Sequence, residues 1–121
     1  MRPALLFLLV AAAGCTGSQA LHLSRADVVG TTWRETCLSP QIATAYVRLD
    51  ADGHMAWSYD GPDSLLVEDG HTWAVEDGKL LLKWNLGSAT SRYPAGPDPA
   101  HLVADSSTFC IDALPWIDRL R

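Results

Sequence analysis

The chain has 121 residues, with 14 acidic against 9 basic side chains and a net charge of −5. That length suits one small domain behind a leader. No stretch gathers lysine and arginine into a cluster, which argues against nucleic acid as a partner, while the acidic balance stays compatible with a basic protein partner.

Residues 1–14 start with Arg2, run through apolar side chains from Ala4 to Ala13, and close on Ala12-Ala13-Gly14. A basic start, an apolar centre and a small-residue exit make a secretory signal peptide. The run is far shorter than the ~20 residues a membrane-spanning helix needs. Cys15 follows at once. This ending resembles the lipobox of bacterial lipoproteins, in which the cysteine thiol is lipidated and becomes the first residue of the mature chain. Ala12 stands where that pattern usually has Leu. The resemblance implies lipid attachment at Cys15, the membrane as a partner through that lipid, and a place in the bacterial cell envelope. Thr16, rather than Asp, implies the outer membrane if the envelope is Gram-negative. The alternative is an ordinary cleaved signal in which Cys15 is incidental. The expected organisation is a signal peptide over 1–14, lipidated cysteine and tether over 15–23, and a folded domain over 24–121. Thr16-Gly17-Ser18-Gln19-Ala20 is small and polar, as a flexible tether should be.

Ser24 with Asp27 three residues on is a capping-box-like start, so one short helical turn is expected before Gly30. Beyond it the rhythm is set by four Asp-Gly pairs, Asp52-Gly53, Asp60-Gly61, Asp69-Gly70 and Asp77-Gly78. Asp-Gly supplies the positive φ that tight hairpins require. The segments between them read as an antiparallel meander, with strands at 31–37, 43–50, 54–59, 64–68, 71–76, 79–85, 89–93 and 101–105, and a further candidate at 108–111. Alternation assigns faces. Met55, Trp57 and Tyr59 share one side, with His54, Ala56 and Ser58 opposite; His71, Trp73 and Val75 share another; Leu80, Leu82 and Trp84 a third. Even spacing of short strands suggests a sandwich or barrel. After the stiff Pro/Gly-rich loop 94–99, Trp116 follows Pro115 and is expected to cap the barrel or begin a short final helix.

Cys37 and Cys110 remain once Cys15 is set aside. In an oxidising compartment a disulfide between them, tying the first strand to the last, is the default. It would add ~4 kcal/mol by closing most of the domain into a loop. Two buried free thiols are the alternative.

A helical turn, Gly30-Thr31-Thr32-Trp33, and then an antiparallel meander resemble the lipocalin-like (calycin) barrels. The family pattern is Gly-x-Trp, whereas two residues intervene here. Tyr46 to Gly53 and Trp73 to Trp84 also look like small bacterial lipocalin-like domains, so the resemblance covers most of 24–84. It implies an all-β fold: an up-and-down meander closed or nearly closed into a barrel of about eight strands, with Trp33 plugging one end beneath 24–29. Fold analogy gives architecture and not activity.

Chemistry is thinly marked. His54 and His71 begin strands near one rim, but alternation puts them on different faces. His101 and His22 lie elsewhere, and there is no H-x-x-x-H or C-x-x-C spacing, so neither a metal nor another cofactor is expected. Asp50-Ala51-Asp52-Gly53 lacks the length and closing Glu of a calcium loop. There is no G-x-S-x-G, and nothing marks one carboxylate as buried, so no catalytic residue is picked out and the protein is not expected to be an enzyme. Five tryptophans are many for this length. Trp33, Trp57, Trp73 and Trp84 occupy inward faces. A packed aromatic core is the favoured reading of them, and a pocket for a small apolar ligand is the alternative. Two functions follow: a lipid-anchored, non-catalytic binding or structural domain, or a lipid-anchored inhibitor of a host hydrolase such as basic lysozyme. The Ser-Gly-x-x-Tyr signature of such inhibitors is absent from the chain.

Overall fold

The structure, a computed structural model, describes residues 22–38, 42–110 and 112–121. The expected signal peptide, Cys15 and most of the expected tether lie outside the described residues. Among the described residues one α-helix, α1 (Arg25–Val28), precedes nine strands: β1 (Thr32–Cys37), β2 (Ala43–Leu49), β3 (Met55–Ser58), β4 (Thr72–Glu76), β5 (Lys79–Trp84), β6 (Ala89–Pro94), β7 (His101–Val103), β8 (Ser106–Ser107) and β9 (Trp116–Arg119). Asp27 Oδ2 accepts from the Ser24 backbone N–H at 2.8 Å, which fixes the start of α1.

The strands form two antiparallel sheets, β3-β2-β1-β9-β7 and β4-β5-β6-β8. Both contribute their inner faces to one core, with Trp33, Val47, Leu49, Met55 and Ile117 meeting Trp73, Leu80, Leu82 and Tyr93. The sheets join along two seams. At the first, His54 bridges Thr72, and Met55 and Trp73 N–H groups donate to His71 and Gly53 carbonyls at 2.8 and 3.0 Å. At the second, the chain crosses between β7 and β8. Ala104 donates to Pro115 in one sheet and Asp105 to Arg92 in the other, at 3.0 and 2.9 Å.

Of the four Asp-Gly pairs only Asp77-Gly78 forms a two-residue hairpin, with φ of 54° and 76° between the paired Glu76 and Lys79, the geometry that matches strand twist. The expected strand at 64–68 is a loop that touches β3 at a single bridge, Trp57 to Leu66. Leu65-Leu66-Val67 has no polar alternation, hence no face to bury, and Leu66 and Val67 stay exposed. Of the candidate strand at 108–111, the described residues 108–110 form no strand; Ser106–Ser107 pairs with β6 instead. Trp116 begins neither a cap nor a helix. It opens β9, which lies between β1 and β7 and breaks the simple up-and-down order. Ile117 is the reason: it is fully buried and pairs with Glu35 and Leu102.

The disulfide Cys37–Cys110 is present, with Cα atoms 5.8 Å apart and a sequence separation of 73. It ties the end of β1 to the connection between β8 and β9, not to the last strand.

Candidate functional site

Inward side chains grade in size along the strands. On β2 they read Ala43, Ala45, Val47, Leu49, and on β6 Ala89, Ser91, Tyr93. The large residues fill one half of the interior and the small ones leave space in the other.

In the filled half, Trp33 and Trp73 are 1% and 3% exposed. Trp33 Nε1 donates to Thr31 Oγ1 at 2.6 Å, and that hydroxyl donates to the Val28 carbonyl of α1 at 2.5 Å. Trp73 Nε1 donates to the Asp50 carbonyl at 2.8 Å, and the Arg25 guanidinium of α1 lies 4.4 Å from the centre of its ring. Both indoles are thus buried with their N–H groups satisfied, as a core requires.

The open half is a pocket of about 300 Å³, at the small end of ligand sites. Ala43, Ala45 and Ala89 supply the space, Trp57, Tyr59, His71, Trp84 and Phe109 the aromatic wall, and Cys37 places the disulfide beside it. The rings pack edge to face: Trp57 and Trp84 at 6.0 Å and 84°, His71 against Trp84 at 5.1 Å, Trp57 against Tyr59 at 4.9 Å. Outer contacts hold these rings. Trp57 Nε1 donates to Glu68 Oε1 at 2.7 Å, and His71 Nδ1 accepts from the Asn85 N–H at 3.3 Å. That acceptance assigns the imidazole hydrogen to Nε2, which lies 3.6 Å from Glu68.

Glu35 lines this pocket and is 4% exposed. β1 delivers it inward between Trp33 and Cys37, flanked by Ala45 on β2 and Ile117 on β9. The Tyr93 hydroxyl donates to Glu35 Oε2, and the Trp84 indole is a second donor. Burial pushes the carboxyl up from 4.5 to about 7, against the downward pull of the Tyr93 and Trp84 bonds. Burial, together with the Glu35 charge, also raises the Tyr93 phenol well above its ordinary value.

The four inward tryptophans therefore divide, Trp33 and Trp73 into the core, Trp57 and Trp84 into the pocket wall. Tyr59, expected to face inward, lines the pocket yet is 69% exposed. The histidines do not converge: His54 lies 3.2 Å from Asp52, His101 lies 2.6 Å from Asp118, and His22 packs against Gly78. Among the described residues no three His, Cys, Asp or Glu side chains gather as a metal site. Sequence reasoning missed Glu35. Its signal was parity, since it sits two residues along the strand from Trp33, already assigned inward.

A search of protein-family models, of curated proteins and of solved structures finds no match to this chain.

Proposed function

We propose that this is a non-catalytic binding domain that takes one small, largely apolar ligand in the Glu35 pocket. The tapered interior carries the reading: alanines stand on the inward face where packing would demand Val or Leu, and aromatic rings surround the space they leave. A buried carboxyl held by the Tyr93 hydroxyl and walled by aromatic rings suits recognition better than reaction, which needs positioned partners. The two seams between the sheets support a nearly closed, lipocalin-like barrel with the pocket at one mouth. The leader and Cys15 support export and lipid anchoring in the cell envelope, with Thr16 favouring the outer membrane of a Gram-negative cell. In that setting the domain would hold its ligand at a membrane surface.

Calorimetric titration with 2-phenylethanol, a neutral aromatic of modest size, tests the binding reading. Saturable binding, lost when Ala45→Leu fills the pocket, is expected. No heat at millimolar ligand, or equal binding by a folded Ala45→Leu variant, would overturn it. Mass spectrometry of the native protein tests the anchor: a mature chain beginning at Cys15 with a diacylglyceryl mass is expected, and an unmodified Cys15 would refute it.

A further inference from the structure

A carboxylate at the base of an aromatic pocket needs a positive partner, and the described residues supply none there. Among the described residues that line the pocket there is no Lys or Arg. The groups that face Glu35 from β5 and β6 are Trp84 and Tyr93, both neutral donors. The other polar lining groups are Tyr59, Asn85, His71 and Trp57; the Trp57 N–H donates to Glu68, and the His71 Nε2 is directed toward Glu68. An ionised carboxylate offers about four acceptor positions. Tyr93 and Trp84 occupy two, which leaves room for a donor arriving from the pocket. The walls are tryptophan and tyrosine rings, whose faces attract a desolvated cation.

We propose that the pocket selects small protonated amines, primary or secondary, with an apolar body, using Glu35 as the counter-ion. The ammonium donates to Glu35 in the interior while its apolar part lies along Trp57 and Trp84. A ligand longer than the cavity meets further apolar surface outside it. Leu38 and Ile42 flank the β1–β2 connection and Leu86 tips the β5–β6 turn, at 47%, 76% and 89% exposure, all at the pocket end of the strands. This specificity rests on the binding-domain reading above and narrows its ligand to one chemical class.

Calorimetry with three probes of one shape separates the two claims: 2-phenylethylamine, 2-phenylethanol and 3-phenylpropionate, each at pH 8 and pH 5.5. An alkylammonium stays protonated to about pH 10, so the charge that changes across this range belongs to the protein. At pH 8 the amine should bind at least tenfold more tightly than the alcohol, and the carboxylate should not bind measurably. At pH 5.5 the amine's advantage should shrink to about threefold or less. Glu35→Gln, which keeps an acceptor for Tyr93, should reduce the ratio of amine to alcohol affinity to that level at both pH values. Thermal melting establishes that this variant is folded. If the alcohol binds as tightly as the amine, or the carboxylate binds best, the amine specificity is overturned and the binding domain stands. If a preference that varies with pH survives in Glu35→Gln, the Glu35 proposal fails. If none of the three probes binds, both readings fall.

Discussion

The two halves of the interior use the same strands and the same alternation, yet one is packed and the other open. In the packed half Trp33 and Trp73 find acceptors at Thr31 and Asp50 and lie under α1. In the open half Trp57 and Trp84 meet each other edge to face beside three alanines and a carboxyl. The difference lies in the size of the side chains that share each half with the tryptophans, Val47, Leu49 and Tyr93 in the packed one and Ala43, Ala45 and Ala89 in the open one. Alternation tells which side chains point in, and the gradient of side-chain volume along a strand tells whether they meet anything.

The sharpest way to break this contrast is to truncate one tryptophan from each half. Trp33→Ala removes a fully enclosed side chain and should lower stability by ~3–5 kcal/mol in equilibrium denaturation. Trp84→Ala removes a half-buried ring that already borders empty space and should lower it by about 1–2 kcal/mol. Equal losses would show that the two halves are packed alike.

Next in size is the disulfide. Replacing Cys37 and Cys110 together with alanine should lower stability by ~2–5 kcal/mol, seen as a fall in melting temperature of several degrees. Because Cys37 and Phe109 both border the pocket, the same change should weaken ligand binding. An unchanged affinity would separate the bridge from the site.

Glu35 predicts a pH dependence with a definite sign. Its folded-state value of about 7 stands above the ordinary 4.5. Below pH 4.5 the carboxyl is protonated in both folded and unfolded chains, and the stability linked to that proton is fully present. Between pH 4.5 and about 7 the unfolded chain ionises first, so stability falls as pH rises. Above about 7 the loss levels off at about 3 kcal/mol. Glu35→Gln should lack this fall, match the wild type near pH 4 and exceed it by up to about 3 kcal/mol at pH 8. A variant that is less stable at pH 8 would mean that the ionised carboxylate is well solvated or paired.

The smallest expected effect is at the mouth. Asn85 and Leu86 both have positive φ, 53° and 61°, and Leu86 is held there by its N–H bond to the Gly70 carbonyl at 2.8 Å. A leucine in that conformation is strained by roughly 1–2 kcal/mol. Leu86→Gly should therefore gain about 1 kcal/mol in denaturation while losing apolar surface at the pocket end. A loss of stability would show that the leucine side chain contributes more by its contact with Gly70 than its backbone conformation removes.

Much of the frame was legible in the sequence because local rules dominate there. Period-two alternation located β1 to β6 within a residue or two, the capping pair Ser24 and Asp27 located α1, and the number of cysteines located the bridge. What was missed depends on distant partners. β9 is a strand because Ile117 completes a core built by β1 and β7, and no local pattern announces that. The segment 64–68 has strand-like composition but no neighbour beyond one bridge. The site itself was half visible. Parity placed the tryptophans and, unremarked, Glu35 between Trp33 and Cys37. The alanines that open the space around it carry no motif, and become informative only when β2 and β6 are set beside the aromatic strands they face.

The central claim, that one half of the interior admits a ligand and the other does not, is tested most directly by the indole N–H signals in a ¹H–¹⁵N spectrum during titration with 2-phenylethylamine at pH 8. The signals of Trp57 and Trp84 should shift together and saturate, while those of Trp33 and Trp73 stay in place. Saturable shifts at Trp33 and Trp73 of the same size, or no saturable shift at Trp57 and Trp84, would contradict the account.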